Sequence, residues 1–347
     1  MAPDFEFVVV GQGLAGTAVA WQLRRRGRRF LVIDRGDPQA ASRVAAGLIT
    51  PYTGRRVART WNLDHCFATA AEFYRSAEAE TGSTVFHQAP ALRLFADAAE
   101  RDVARGKIDA SQFDRGINPV WYAAPHGGVE LTPAARLDVP RFLDAYRLLF
   151  REHHAYRAFD LDPAPDVEPT DGGVRLPRLG LSTGCVVFCE GAAGVGNPWF
   201  PGVPYNPAKG EILTLRVPGL GEMRPVHRGV WLAPQGGDVF LAGSTYDRAD
   251  LSPTPTAAGR AAIEAGLREF LKLPFEVIGH RAGVRPVLTT TRPVLGVHPR
   301  HRLAVLTGLG SKGALYAPTY GAMLVDHLTD GRPIDAEVRL IESPEAC

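Results

Sequence analysis

A glycine-rich turn directly after a short apolar run places the strongest constraint on the fold of this chain. Residues 5–10 read FEFVVV, which suits a strand covered on both faces of a parallel sheet. The next six residues, GQGLAG at 11–16, are followed by apolar residues at helical spacing. A second apolar run, 30–33, ends at Asp34, which lies 23 residues after the first glycine. Strand, glycine turn, helix, strand and acid in this order predict a Rossmann-like dinucleotide-binding unit.

Each part of this unit has a physical task. Gly11 permits the tight turn, Gly13 lets the backbone approach a pyrophosphate, and Gly16 lets the helix pack closely on the strand. The helix N-terminus offers N–H groups and partial positive charge to the phosphates, and Asp34 is suited to accept hydrogen bonds from the adenosine ribose. The turn alone does not distinguish FAD from NAD. The residues predicted here to bind the cofactor are Gly11, Gly13, Leu14, Ala15, Gly16, Asp34 and Arg35.

Bulk composition disfavours several classes of protein. The formal net charge is +2, and the one dense basic run, 24–29, is read as the exposed end of a helix in preference to a nucleic-acid contact. No stretch approaches the roughly 18 apolar residues of a membrane span. The first residues lack the pattern of a signal peptide, because Asp4 and Glu6 stand where positive charge belongs. We therefore expect a cytoplasmic protein with no membrane span and no nucleic-acid partner.

The cysteines give no sign of a metal site or a disulfide. Cys185 and Cys189 lie four apart in a strand-like run, so their side chains share a face but stand about 13 Å apart. That separation is too large for one zinc ion or one disulfide. We predict buried thiols and no metal.

Six segments in the same order resemble the D-amino-acid oxidase/glycine oxidase-like family of FAD-dependent oxidoreductases, the DAO family. The segment at 282–296, for instance, is similar to the family's G-[LV]-R-P…P-x-[IL]-G block. The six are VVVGQGLAGTAVAWQL at 8–23, SRVAAGLITP at 42–51, VVFCEGAAG at 186–194, KGEIL at 209–213, AGVRPVLTTTRPVLG at 282–296 and GLGSKGALYAPTYGAMLVDHL at 308–328.

The resemblance implies an interleaved fold. The two ends of the chain have α/β character and the middle is richer in strands, which fits an α/β protein with an α+β substrate part. A Rossmann-like FAD-binding domain is then interleaved with an antiparallel-sheet substrate domain. We predict 1–83, 132–203 and 286–347 as the FAD-binding domain, and 84–131 and 204–285 as the substrate domain.

The resemblance also implies noncovalent FAD, since no cysteine lies near 285–296, where some relatives attach the flavin. The segment at 42–51 is similar to one that lies along the flavin ring, and the segment at 186–194 to one near the adenine and pyrophosphate. The loop at 308–313 precedes a helix predicted to start near Ala317 and to face the N1–O2 end of the ring. The further residues expected to bind the cofactor are Ser42, Arg43, Ala45, Ala46, Gly47, Leu48, Cys189, Glu190, Gly191, Gly308, Gly310, Ser311, Lys312, Gly313 and Ala314.

The activity implied is oxidation of the C–N bond of a small amine or amino acid by hydride transfer to flavin N5. Arg285 resembles the arginine that pairs with the substrate carboxylate, although a structural salt bridge is its alternative. Lys312 is either a second carboxylate-binding group or a solvent-facing side chain. Glycine-oxidase-like members carry an arginine at the position of Ser311, so its absence here leaves the second contact open. Tyr246 is either a pocket residue that bonds a substrate oxygen or an ordinary tyrosine.

The roles of several other residues have two possible interpretations at this stage. Tyr52, Arg55 and Arg56 either reach an acidic substrate or form a surface cluster. His227 and His280 are read as structural because neither has a partner at catalytic spacing, and no general base is named.

Three other functions remain as alternatives. Oxidation of a 2-hydroxy acid ranks lower because it usually requires a histidine base. A tRNA-modifying oxidoreductase, similar to the C-terminal module of the methylaminomethyl-uridine enzyme, would need an RNA-binding surface. A protein that keeps FAD for structure or sensing is the non-enzymatic alternative. The electron acceptor is O2 or another acceptor, because the strand 239–241 lacks the lysine that assists oxygen in some relatives.

Overall fold

Two large β-sheets organise the part of the chain that the computed structural model describes, residues 3–340. The strands in chain order are β1 (Phe5–Val10), β2 (Phe30–Asp34), β3 (Leu48–Ile49), β4 (Tyr52–Thr53), β5 (Ala58–Arg59), β6 (Phe86–Gln88), β7 (Ala91–Leu94), β8 (Gly128–Leu131), β9 (Ala135–Leu137), β10 (Tyr156–Ala158), β11 (Glu168–Thr170), β12 (Gly173–Leu176), β13 (Leu181–Phe188), β14 (Ala208–Arg216), β15 (Val226–Arg228), β16 (Val230–Gly236), β17 (Val239–Gly243), β18 (Glu276–Arg285), β19 (Val294–Val297) and β20 (Leu303–Thr307). The helices are α1 (Leu14–Arg25), α2 (Ala41–Val44), α3 (Leu63–Thr81), α4 (Ala98–Arg105), α5 (Val139–Glu152), α6 (Pro163–Asp166), α7 (Ala257–Arg268) and α8 (Gly313–Asp330).

The first sheet has a parallel centre in the order β10–β2–β1–β13–β20. β19 pairs antiparallel with β20, while β12 and β11 extend the sheet antiparallel beside the first half of β13. Helices α1, α3, α5 and α8 contribute to the core on one face. The α/β fold expected from the sequence is confirmed.

The side chains of β1 alternate between two cores, which explains why this strand lies at the centre of the sheet. Phe7 and Val9 belong to the core under the helices, whereas Val8 and Val10 belong to a second core on the opposite face. Burying each such side chain contributes about 1.5–3 kcal/mol relative to exposure. A strand that is apolar on both faces is therefore stable only inside a sheet covered on both sides.

The second sheet has the order β18–β14–β17–β16–β15–β7–β8, and only the β15–β7 pair is parallel. α7 packs beside β14 and β16. Strands of this sheet come from residues 91–131 and 208–285, and those of the first sheet from 5–34, 156–188 and 294–307. A third, small sheet, β3–β9–β6, joins segments on both sides of the predicted boundary near residue 84, so the domain division stays a prediction.

Helix α8 begins at Gly313, four residues before the predicted start near Ala317. Pro318 therefore lies inside the helix, where it cannot donate to the carbonyl of Ala314. The Tyr74 hydroxyl donates to that carbonyl at 2.8 Å and satisfies it. This contact spans 240 residues of sequence, which is why local reasoning placed the helix start too late.

Other sequence features have ordinary positions. Side chains of the basic run at 24–29 pair with acids, for example Arg24 with Glu80 at 2.8 Å and Arg28 with Glu6 at 3.1 Å. Within residues 3–340, every helix is too short or too polar to cross a membrane.

The cysteines that the structure describes, Cys66, Cys185 and Cys189, are free and buried, as predicted for the last two. Cys347 lies outside the described residues.

Candidate functional site

A cavity of about 410 Å³ opens at the carboxyl ends of the central parallel strands. Gly11 follows β1, Asp34 ends β2, Cys189 follows β13 and Thr307 ends β20, and all four residues line it. In open α/β sheets this edge is where ligands bind. We call this space the first cavity.

The glycine turn forms one wall of the first cavity. Gly11 has φ +100°, a conformation that favours glycine. A Cβ at Gly16 would lie 1.8 Å from Gly11 O, so only glycine allows α1 to begin this close to β1. A Cβ at Gly13 would lie 3.1 Å from Ser42 Oγ, and both residues line the cavity. Gly11, Gly13, Leu14 and Ala15 line the cavity, whereas Gly16 acts through packing.

Asp34 holds this turn together. Its Oδ2 accepts a hydrogen bond from Gln12 N at 2.7 Å, and its Oδ1 accepts one from Gly36 N at 2.8 Å. Arg147 Nη2 lies 3.4 Å from Oδ1. The carboxylate still lines the cavity, and so does Arg35, whose guanidinium pairs with Asp37.

A second wall comes from the segment after β13. Cys189, Glu190 and Gly191 line the cavity. Glu190 accepts a 2.6 Å hydrogen bond from Asn197 Nδ2, but burial raises the pKa of its carboxyl group.

The segment that contains α2 forms the third wall. Ser42 accepts a 3.2 Å hydrogen bond from Leu14 N, which satisfies a free N–H of the first turn of α1. Arg43 does not line the cavity, because its guanidinium is directed to Asp144 and the carbonyl of Pro140 on α5. The predicted residues of this segment that line the first cavity are Ser42, Ala45, Ala46, Gly47 and Leu48.

The loop before α8 closes the first cavity. Because α8 starts at Gly313, its N-terminus lies within the cavity wall itself, which strengthens the expectation of a positive dipole end at a bound ring. Lys312 is the exception in this loop, since its side chain lines a different cavity. The predicted residues of this segment that line the first cavity are Gly308, Gly310, Ser311, Gly313 and Ala314.

A second cavity of about 270 Å³ adjoins the first. The residues that line both cavities are Leu48, Trp231, Ser244, Arg285 and Ser311. This shared wall places a ligand of the first cavity next to a ligand of the second.

Arg285 is fixed at this shared wall. Its Nη2 donates to Ser244 Oγ at 2.8 Å, and its Nη1 donates to the carbonyl oxygens of Lys209 and Thr245, each at 3.2 Å. The ring of Tyr246 lies 5.5 Å from its guanidinium carbon. No carboxylate in residues 3–340 forms an ion pair with it, so the salt bridge weighed as its alternative is absent from the described chain. Burial lowers the pKa of this guanidinium.

Lys312 and Tyr246 also line the second cavity. Lys312 is half-buried, which lowers the pKa of its ammonium group. Tyr246 lies after β17 at the rim, and it is 55 % exposed. Tyr52 lines the cavity as well, whereas Arg55 and Arg56 do not.

Sequence reasoning missed His227 and Trp231. His227 lines the second cavity, and burial, reinforced by Arg93, lowers the pKa of its imidazole to about 4. His280 stands elsewhere, with Nε2 2.7 Å from Glu211 Oε2. A histidine in a short strand gave no local signal of a cavity, because the cavity forms only when β15 pairs with β7.

The residues of the first cavity fit a flavin dinucleotide. Gly13 leaves space that a Cβ would fill, two helix N-termini meet the cavity, and Asp34 stands at the end of β2. The described residues contain no cluster of His, Cys, Asp and Glu able to hold a metal ion.

Comparisons with known proteins agree with this geometry. The family model described as FAD dependent oxidoreductase, DAO, matches residues 6–327. The chain is 29 % identical over 341 residues to the tRNA 5-methylaminomethyl-2-thiouridine biosynthesis bifunctional protein MnmC of Maricaulis maris, covering 96 % of this chain and 54 % of that protein. It is 23 % identical to a glycine oxidase of Bacillus licheniformis, covering 97 % of this chain and 96 % of that one.

Among solved structures, glycine oxidase from Geobacillus kaustophilus matches with a TM-score of 0.79 at 20 % identity, covering 99 % of this chain and 100 % of that one. The chain spans about half the length of several curated relatives that it matches. The family match extends over nearly the whole chain. The chain therefore belongs to the DAO family of FAD-dependent oxidoreductases, and its cofactor is FAD.

Proposed function

We propose that this enzyme oxidises the C–N bond of a small amine or amino acid that carries a carboxylate beside the amine. The observation that carries the proposal is the Arg285 guanidinium at the wall shared by the two cavities, with no ion-pair partner in residues 3–340. A guanidinium attracts a carboxylate through its permanent positive charge and through charge-assisted hydrogen bonding. A substrate carboxylate on Arg285 sets the neighbouring carbon beside the first cavity.

The protein prepares this contact before substrate arrives. Ser244 and two carbonyl oxygens already accept hydrogen bonds from Arg285, so its orientation is fixed and little side-chain entropy is lost on binding. Leu48 and Trp231 add apolar surface to the shared wall. Apolar walls exclude water and strengthen the charge–charge contact.

FAD supplies a ring that accepts a hydride from the carbon next to the amine. The residues that would hold FAD are those of the Gly308–Gly313 loop, whose backbone N–H groups would favour negative charge on the ring, and those at the start of α1, which would bind the pyrophosphate. We infer that the FAD is held without a covalent bond.

Relatives support an amine substrate. The relatives include glycine oxidases, and the similar solved structures include an L-proline dehydrogenase from P. horikoshii at a TM-score of 0.75. This fold is found both in oxidases and in a dehydrogenase. The experiment described below therefore tests whether electrons pass from the flavin to O2 or to another oxidant.

A 2-hydroxy acid is the second candidate substrate, and His227 is the observation that favours it. The imidazole lines the second cavity with Arg285, and its lowered pKa keeps it neutral near pH 7. A neutral imidazole accepts a proton from a hydroxyl group, which oxidation of an alcohol requires. The proposed contact of Arg285 with a carboxylate is the same for a 2-hydroxy acid and for an amino acid.

A modified nucleoside in tRNA is the third candidate, favoured by the 29 % identity to MnmC of Maricaulis maris. The basic run at 24–29, which an RNA surface would use, is in part paired with acids of the same chain. The small-molecule substrate is therefore preferred.

The deciding experiment is an anaerobic titration of the purified holoenzyme, followed by its flavin absorption. Pools of D-, L- and N-methyl amino acids are compared with a pool of 2-hydroxy acids and with unfractionated tRNA. Bleaching by an amino-acid pool supports the proposal, and bleaching only by hydroxy acids or by tRNA replaces it. Readmission of air then shows whether O2 reoxidises the flavin at a useful rate.

A further inference from the structure

The second cavity is lined by cations without a carboxylate. Arg93, Arg285 and Lys312 line it, and no Asp or Glu of the described chain does. His227 adds no charge near pH 7. A ligand in this space therefore meets a positive field that acidic side chains of the lining do not offset.

Arg93 does not contribute to this positive field. Its Nε donates to Glu100 Oε1 at 3.0 Å, and both side chains are buried. Its Nη2 donates to the carbonyl of Gly54 at 2.7 Å. A buried pair of opposite charges has little field outside itself, so Arg93 is neutralised in place.

Arg285 and Lys312 remain as two cations without a counter-charge. Within residues 3–340, neither forms an ion pair, and the Lys312 ammonium makes no hydrogen bond to the protein. Burial lowers the pKa of both groups, because it disfavours their charged forms. Charges in such sites are normally paired, so the missing anions are expected on the ligand.

The two cations come from different elements of the fold. Arg285 ends β18 and lines both cavities, whereas Lys312 precedes α8 and lines only the second. One carboxylate on Arg285 stays at the shared wall, and Lys312 is left for a group farther from the first cavity.

We propose that the substrate is a dicarboxylic amine, whose carboxylate beside the amine pairs with Arg285 and whose second carboxylate pairs with Lys312. This rests on the proposed function for the first carboxylate and deepens it by naming the substrate class. A carboxylate is favoured over a phosphate because one ammonium group balances one negative charge and not two.

The test uses the holoenzyme and acids that lack an amine, so that binding is measured without turnover. Succinate is compared with butyrate, and glutarate with pentanoate, by calorimetry and by the shift of flavin absorption. Lys312→Met removes the charge and Lys312→Arg keeps it. Lys272→Met is the matched control, since Lys272 is exposed and its ammonium donates to the carbonyl of Pro119 outside the cavity.

The diacid is expected to bind at least tenfold more tightly than its matched monoacid. Lys312→Met should bring the two affinities within about twofold, while Lys312→Arg and Lys272→Met keep the preference. Equal affinities in the unchanged protein, or a preference that survives Lys312→Met, would overturn the inference.

Turnover separates this inference from the proposed function. If monocarboxylic amines reduce the flavin as efficiently as dicarboxylic ones, amine oxidation stands and the diacid inference fails. If the Lys312-dependent preference is found but no amine bleaches the flavin, the two-anion site is supported and amine oxidation is overturned.

Discussion

Arg285 Nη2 donates a 2.8 Å hydrogen bond to Ser244 Oγ, and this contact joins the end of β18 to the loop after β17. The carbonyl of Thr245 accepts from the same guanidinium at 3.2–3.3 Å. The loop therefore orients the cation that the cavity presents to an acidic ligand. The proposed substrate carboxylate would supply the negative charge that no residue of the described chain gives to Arg285.

Arg285→Met should raise KM for the amino-acid substrate by about 100-fold, because a charge-assisted contact is worth roughly 3 kcal/mol in a partly buried site. The change is measured by steady-state kinetics of the FAD-loaded protein. Arg281→Met is the matched control, since Arg281 lies on the same strand but is exposed and outside both cavities. An unchanged KM in Arg285→Met would remove the carboxylate role.

The strand–turn–helix unit was predictable because its determinants are local. The bounds of β1 and the end of β2 at Asp34 agree with the sequence prediction, since an apolar run and a glycine turn define them within 30 residues. Helix α8 was misplaced because Tyr74, far away in sequence, satisfies the carbonyl that Pro318 leaves free.

The second cavity was less predictable because it is assembled from distant segments. His227 enters it only through the parallel pairing of β15 with β7, whose partners are more than 130 residues apart. Arg43 shows the opposite error: its neighbours line the first cavity, but its own side chain turns to Asp144 on α5. Sequence indicates which segment reaches a site, while side-chain direction depends on partners elsewhere in the fold.

Gly13→Ala should weaken FAD binding by at least tenfold while leaving the fold intact. Gly13 has φ −83°, which alanine also adopts, and the new Cβ would meet only the side chain of Ser42, at 3.1 Å. The methyl group would occupy space where the backbone is expected to approach the pyrophosphate. FAD affinity is measured by titrating apoprotein and following flavin fluorescence.

Gly172→Ala is the control for this substitution, because nothing lies within 4 Å of a Cβ there. It should bind FAD as the unchanged protein does. In both proteins, acid or heat denaturation should release all the flavin into solution, as noncovalent binding requires. Unchanged FAD affinity in Gly13→Ala would argue against the pyrophosphate at this turn.

Lys209 fixes the loop that orients Arg285. Its ammonium lies 2.6 Å from Asp250 Oδ2, its side chain is 1 % exposed, and its backbone exchanges hydrogen bonds with Asp247 at 2.7 and 3.0 Å. Its carbonyl accepts from Arg285. We therefore predict that Lys209 positions this loop and influences a ligand only through Arg285.

Lys209→Met should raise KM several-fold with a smaller change in kcat, because the loop loses the ion pair that orders it. Loss of this partly buried pair should also lower the Tm of the holoenzyme by roughly 3–8 °C. Kinetics and thermal unfolding of the same samples give both values. Lys107→Met, at an exposed lysine outside both cavities, should change neither. A Tm loss without any change in KM would make Lys209 purely structural.

His227 should make stability depend on pH. Its pKa is about 4 in the folded protein against about 6.5 when unfolded, so between these values the unfolded chain binds more protons. Its contribution is fully present above pH 6.5 and is lost as the pH falls toward 4. Lowering the pH from 7 to 5 should therefore remove about 2 kcal/mol of unfolding free energy through this residue.

His227→Gln should abolish that part of the pH dependence, because glutamine does not titrate. Urea unfolding at pH 7 and at pH 5 measures it, and the comparison between variants cancels the titration of carboxylates common to both. His153→Gln, at an exposed histidine beyond the end of α5, should keep the full dependence. Equal losses in all three proteins would mean that His227 is as easily protonated in the folded chain as in the unfolded one, and that the fold does nothing to keep this imidazole neutral.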